Sequence, residues 1–239
     1  MKVFIVPLAA ALIIAGNAFF FLSCAGLPSQ NADFSLISPL IPENSAALSP
    51  ETALQPPEDA ELTGHIMGQG MVPEEKLAAF LLLINTQADE DFVLSLSGYY
   101  VEEAAAEGVN HDTAFAQMCL ETGFLRYGGL VTPDMNNFCG LGSIGPGETG
   151  HIFPDPRTGV RAHIQHLQAY ASTEPLNQEL VDPRYRYVKR GSSPTIHGLA
   201  GTWAADRAYD AKIDRILKNL YEFSSSSSSP ASDIQSQYD

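Results

Sequence analysis

Residues 112–123, DTAFAQMCLETG, constrain this chain more than any other stretch. Phe115, Met118 and Cys119 recur at helical spacing, which predicts a short helix with a face in a core. Gly123 takes the left-handed conformation that stops such a helix. Glu121 then stands where a packed element opens onto a loop. Apolar neighbours partly desolvate a carboxyl in that position and raise its pKa, so it can hold a proton near neutral pH for delivery to a leaving oxygen. Glycoside hydrolysis uses an acid of this kind. The competing reading of Glu121, taken alone, is a solvated surface charge.

The flanking sequence reads as scaffold. Pro73, Glu74 and Glu75 suit a helix start, and Leu77, Phe80, Leu81 and Ile84 make one apolar stripe behind them. Residues 92–107 repeat the logic with Tyr99, Tyr100, Ala104 and Ala105, and Gly108 is placed to end that helix. Asn110 or Asp112 caps the next one. A further helix spans about residues 159–171 and carries His163 and His166. The last begins near Asp206, with Tyr209, Ile213, Ile216, Leu217, Leu220 and Tyr221 on one stripe. Between Leu130 and Pro156 the chain is rich in Gly and Pro and predicts loops lining a groove. Asn136 and Asn137 there offer amides suited to sugar hydroxyls and acetamido groups, or fill turn positions.

Three blocks occur in order: AQMCLETG at 116–123, NNFCGLG at 136–142 and WAADRAYDAKI at 203–213. Together they resemble the glucosaminidase domain of glycoside hydrolase family 73, whose pattern is roughly A-Q-x-x-x-E-[ST]-G, N-N-[FL]-[FC]-G-[IL] and Y-A-T-D-x-x-Y-x-x-K-I. The resemblance covers about residues 62–222. It implies a mainly α, lysozyme-like helical domain with a small loop-rich or β lobe at the active-site cleft. It also implies an endo-β-N-acetylglucosaminidase that cleaves peptidoglycan after N-acetylglucosamine, with Glu121 as general acid. Tyr209 falls on the family's functional tyrosine, whose phenol would orient the acetamido group or a water; its alternative is ordinary packing. Asn137, Phe138, Gly140, Trp203 and Asp206 are the substrate-binding candidates within the blocks.

The chain departs from the family where many members carry a β-hairpin supplying a second acid. Here GSIGPGETGHIFPDP is short and Gly-rich, with Glu148 the nearest candidate and Asp155 behind it. An inverting enzyme needs that carboxylate to activate water, whereas a substrate-assisted one uses the sugar's acetamido group, so the stereochemistry stays open. A muramidase or lytic transglycosylase is the alternative activity, and a catalytically silent wall-binding lipoprotein the alternative class. No cofactor or metal is expected. Cys119 and Cys139 lack zinc spacing, and His163 with His166 has no third ligand. The two cysteines lie in blocks that converge on one cleft, so they either form a disulfide or remain buried thiols.

The formal charge of -15, with only 13 Lys and Arg spread over 239 residues, excludes a nucleic-acid partner. The local exception is the basic run of Arg184, Arg186, Lys189 and Arg190, read as a solvated loop or a contact for peptide carboxylates on the glycan. Lys2 and the apolar run that follows resemble a secretory signal at 1–23. Phe21-Leu22-Ser23-Cys24 resembles a lipobox that lipidates Cys24, with an uncleaved membrane anchor as the alternative. A flexible tether at 24–61, the glucosaminidase domain at 62–222 and a disordered Ser-rich tail at 223–239 complete the expected organisation. These features place the chain in the bacterial cell envelope, as a lipoprotein facing the periplasm or exterior. A monomer is the simplest oligomeric expectation.

Overall fold

Pro73, Glu74 and Glu75 do start a helix: α1 runs Glu74–Ile84 and buries Leu77, Phe80, Leu81 and Ile84. The computed structural model describes residues 64–145, 148–226 and 234–238. The expected signal, lipidated Cys24 and tether lie outside them. The next helix, α2 (Glu90–Glu107), begins two residues before the expected position because Asp89 caps it, accepting from Phe92 N at 2.7 Å. Gly108 ends it in the left-handed region.

In α3 (His111–Thr122) Asn110 is the cap, accepting from the backbone N–H groups of Asp112 and Thr113. Asp112 has another task. Its buried carboxylate accepts from Met71 N, Val72 N and the Tyr221 hydroxyl, which pins the segment before α1 and the last helix to α3. The expected single apolar face understates this helix. Residues 111–119 and Thr122 are all buried, and only Leu120 and Glu121 are partly exposed, because neighbours surround it.

The helix α4 (Pro156–Ala171) opens with Asp155 as its cap, accepting from Thr158 N at 2.9 Å. It joins α2 through Glu103, whose buried carboxylate accepts from Arg157, Arg161 and Gln178. The last helix, α5 (Tyr209–Ser225), packs on α3, and α1 closes the bundle against α2 and α5. One apolar core fills the space between helices, with Phe80, Tyr100, Phe115, Met118, Ile164 and Ile213 inside it. The architecture is therefore mainly α and lysozyme-like, with one small β lobe.

That lobe corrects one expectation. The short Gly-rich stretch does form an antiparallel hairpin, β1 (Ser143–Gly145) with β2 (Glu148–Thr149), pairing Ser143 with Thr149 and Gly145 with Glu148. A second apolar cluster of Cys139, Leu141, Phe153 and Ala162 supports the lobe. The other correction is at the C-terminal end. The expected tail boundary at residue 223 falls inside α5, and residues 234–238 return to the core with Ile234 only 2% exposed.

Candidate active site

Glu121 lies one residue before the end of α3, and Gly123 turns the chain away with φ +57°. The turn continues left-handed through Phe124, Leu125 and Tyr127, residues that rarely adopt positive φ. Asn85 Nδ2 donates to Phe124 O at 2.8 Å, and Leu125 N donates to Thr122 Oγ1 at 3.0 Å, which holds the turn in place. A cleft of about 670 Å³ opens beside it, walled by Tyr127, Leu130, Gly140, Ser143 and Trp203. Among the described residues Glu121 is the one carboxylate that lines it.

The Glu121 carboxyl is held asymmetrically. Its Oε1 accepts from the Tyr209 hydroxyl in a short hydrogen bond and from Trp203 Nε1 at 3.1 Å. Its Oε2 faces the cleft, 3.7 Å from where a Cβ would stand on Gly140. Burial raises the Glu121 pKa above the ordinary carboxylate value, against the lowering effect of the bonds from Tyr209 and Trp203.

Behind Tyr209 a hydrogen-bond chain runs into the core. Gln117, one helical turn before Glu121 on the same face, donates from Nε2 to the Tyr209 oxygen at 2.7 Å. Its Oε1 pairs with His163 Nε2 at 3.0 Å, and His163 Nδ1 pairs with the Tyr100 hydroxyl at 2.9 Å. An amide oxygen only accepts, so His163 carries its hydrogen on Nε2 and accepts from Tyr100 at Nδ1. Burial, with a smaller push from His166, takes the His163 pKa down to about 3 and keeps the ring neutral. Every donor in the chain thus points toward Glu121.

Trp203 is braced from α4. His166 meets its ring edge-on at 4.9 Å, with Tyr170 at 5.6 Å and His163 at 5.8 Å. The two histidines that share a helix face therefore hold an aromatic ring. His166 Nδ1 is also bonded to Asp182 at 2.7 Å.

The structure brings Glu121, Tyr209, Trp203 and Gly140 together and leaves other candidates elsewhere. Asn137 is buried. Its Nδ2 donates to Leu141 O and His151 O, and its Oδ1 accepts from Leu141 N, so its amide shapes the loop and is not offered to a sugar. Phe138 is fully buried in the helical core beside Phe92. Asp206 is exposed, takes Lys212 Nζ at 2.6 Å and accepts from Ala208 N, bracing the start of α5. Asp155 is spent as the α4 cap. Glu148 lies on β2 by its backbone. Tyr209 itself is 5% exposed and points its hydroxyl at Glu121.

Cys119 and Cys139 are buried free thiols, which removes the disulfide alternative. Cys119 belongs to the helical core and Cys139 to the cluster under the hairpin. Gln117, His163 and Tyr127 were not foreseen as site residues. The position of Gln117 four residues before Glu121 was the available signal for the first.

A family model described as glucosaminidase, mannosyl-glycoprotein endo-beta-N-acetylglucosaminidase, matches residues 97–222. The chain belongs to the glucosaminidase family. An uncharacterized protein of Borreliella burgdorferi is similar to it, 41% identical over 164 residues that make up 69% of this chain and 80% of the relative. No solved structure matches. As a glucosaminidase the chain is a glycoside hydrolase of the peptidoglycan-cleaving type, and the family match spans the cleft from α3 to α5.

Proposed function

We propose that this glucosaminidase is an endo-β-N-acetylglucosaminidase in which Glu121 protonates the leaving glycosidic oxygen from Oε2. The observation that carries the reading is the asymmetric hold on Glu121. Two donors already occupy Oε1, so the proton of the neutral acid belongs on Oε2, the oxygen that faces the cleft. Burial favours that neutral form, the one that can protonate a leaving oxygen. Tyr209 and Trp203 act as positioning residues, fixing the carboxyl so that Oε2 meets the substrate in one orientation. Gln117 keeps the Tyr209 hydroxyl hydrogen aimed at Glu121, because the amide can only donate from Nε2.

Glu148 is the acid we assign to water activation. Its support is its place on β2, whose partner strand puts Ser143 in the cleft wall, and the second acid that related hairpins carry.

The test is release of new reducing ends from purified peptidoglycan by wild type, Glu121→Gln, Glu148→Gln and Tyr209→Phe across pH. Glu121→Gln keeps the shape and loses the transferable proton, so turnover falls by at least ~100-fold. Tyr209→Phe falls less. It also shifts the alkaline limb upward, since the lost bond was lowering the Glu121 pKa. Near-normal turnover by Glu121→Gln would sink the mechanism, and loss confined to Glu148→Gln would move the acid to the hairpin. Mass spectrometry of the released muropeptides reads the bond: N-acetylglucosamine at the new reducing ends is expected, and N-acetylmuramic acid would make the enzyme a muramidase.

A further inference from the structure

The main cleft does not end at Trp203. A second cavity of about 230 Å³ continues from it, sharing Cys139, Gly140, Ser143 and Trp203 as common wall and adding His166, Tyr170 and Arg184. We read the two as parts of one groove, with Glu121 lining the first and Arg184 the second. Among the described residues no carboxylate lines this second part.

Of the four basic residues in that segment, Arg184 is the one that lines the groove. Arg190 is committed elsewhere, donating from Nε to Ser172 O at 3.0 Å and from Nη2 to Gln168 Oε1 at 3.3 Å. Arg186 donates to the Tyr187 hydroxyl at 2.7 Å. The Arg184 guanidinium lies over the Tyr187 ring, 4.8 Å from its centroid, and makes no ion pair among the described residues. The nearest acid in sequence, Asp182, is buried and spent on His166 Nδ1 and on the backbone N–H of Arg184 itself. Arg184 and Tyr170 line the same cavity, where burial raises the Tyr170 pKa and the positive charge of Arg184 partly lowers it. A chain with a formal charge of -15 thus keeps a guanidinium over the Tyr187 ring with no acidic partner among the described residues, in the cavity next to Glu121's cleft.

We propose that Arg184 forms a subsite for a carboxylate carried by the bound glycan, so that the enzyme recognises the acidic substituent of the wall sugar as well as the sugar backbone. The fork of the guanidinium matches a carboxylate with two parallel hydrogen bonds, and stacking on Tyr187 reduces the freedom lost on binding. Peptidoglycan offers two such groups, the lactyl carboxylate of a bare muramic residue and the carboxylates of its stem peptide. The proposal rests on the peptidoglycan reading above.

The experiment measures binding to the Glu121→Gln protein, which keeps the groove intact, with and without Arg184→Gln. Trp203 is the single tryptophan of the chain and lies in the shared wall, so its fluorescence reports occupancy. Three probes are used: a wall oligosaccharide bearing stem peptides, the same oligosaccharide after amidase removal of the stems, and an N-acetylglucosamine oligomer of equal length. Arg184→Gln is expected to weaken the peptide-bearing probe by ~10-fold or more, the effect of losing a charge-assisted hydrogen bond, and to leave the neutral oligomer within about twofold. Arg184→Lys keeps the charge without the fork and recovers part of the loss. A penalty on the stripped probe alone assigns the lactyl carboxylate that amidase frees, a penalty on the peptide-bearing probe alone assigns the stem, and a penalty on both shows that the subsite takes either carboxylate. Equal weakening of all three probes, or none, overturns the subsite while leaving the hydrolase reading untouched. Failure of the Glu121→Gln protein to bind any probe overturns both.

Discussion

The acid role proposed for Glu121 needs a carboxyl that stays neutral, and burial of the side chain favours that form. Its folded pKa lies above its unfolded value, so between the two the native state binds more protons than the unfolded chain. Stability from the neutral acid is fully present below the unfolded pKa and is lost as pH rises through the folded one. Glu121→Gln cannot ionise, and its amide oxygen still accepts from Tyr209 and Trp203. The variant should therefore melt together with wild type near pH 4 and at a higher temperature than wild type at pH 8. His163 has the opposite sign, losing stability as pH falls from its unfolded value toward about 3, but both proteins carry it and the difference cancels. A wild type that outlasts Glu121→Gln at pH 8 would show that the carboxylate is stabilised in place. At this scale the sequence was legible where chemistry is local. The place of Glu121 at a helix end was readable from Gly123, which ends α3. The two readings of Asn137 stayed open because an amide suits a sugar and a turn equally, and only the fold reveals that Leu141 and His151 take up its hydrogen-bonding capacity.

Among the elements, helix boundaries were readable because caps act within a few residues. Asn110, Gly108 and Gly123 all serve as expected. The left-handed turn after α3 was not readable, since Phe124, Leu125 and Tyr127 carry no preference for positive φ, and a contact from Asn85, 39 residues away, helps hold it. The hairpin was hidden for a similar reason, as its strands are too short to show an alternating pattern. A glycine marks where the helical core and the cleft loop meet. A Cβ on Gly159 of α4 would stand 1.8 Å from Asn136 O, so α4 approaches the loop that carries Gly140 only because that atom is missing. Gly159→Ala should cost about 1–3 kcal/mol by overpacking and should lower kcat/KM with it as the loop shifts. Gly98 in α2 supplies the contrast. A Cβ there would meet only the end of the exposed Glu74 side chain at 3.2 Å, which can swing aside, so Gly98→Ala should stabilise by ~0.5–1 kcal/mol. Urea unfolding of both variants checks the pair; equal midpoints would mean that the α4 contact relaxes freely.

At the scale of the whole molecule, the fold closes over α3 with a segment that composition reads as tail. A serine run precedes it, and five described residues are too few to show periodicity, so its docking was invisible in the sequence. The contacts are nonetheless specific. Ile234 is buried in the helical core, the Tyr238 ring meets Phe124 edge-on at 4.7 Å, and Asn219 Nδ2 donates to the Tyr238 hydroxyl at 2.8 Å. Arg126 Nη1 donates to Tyr238 O at 3.2 Å. Phe124 and Arg126 belong to the left-handed turn that follows Glu121, so the segment props the same turn that walls the cleft. Removing residues 234–239 uncovers one aliphatic side chain, worth about 1.5–3 kcal/mol, and one aromatic pair worth about 0.5–1.5 kcal/mol. Residual order in the unfolded chain reduces that sum, so a net loss of about 2 kcal/mol is expected, read as a lower urea midpoint. Turnover should fall as well, even well below the melting temperature, because Phe124 loses the ring that holds it and the carboxyl three residues earlier loses its fixed aim. The informative comparison is Tyr238→Ala, which removes the ring and its hydroxyl bond while leaving Ile234 in place. If that variant keeps full stability and full turnover, the segment merely covers apolar surface; if it loses turnover with little loss of stability, the C-terminal segment is part of the frame that orients Glu121.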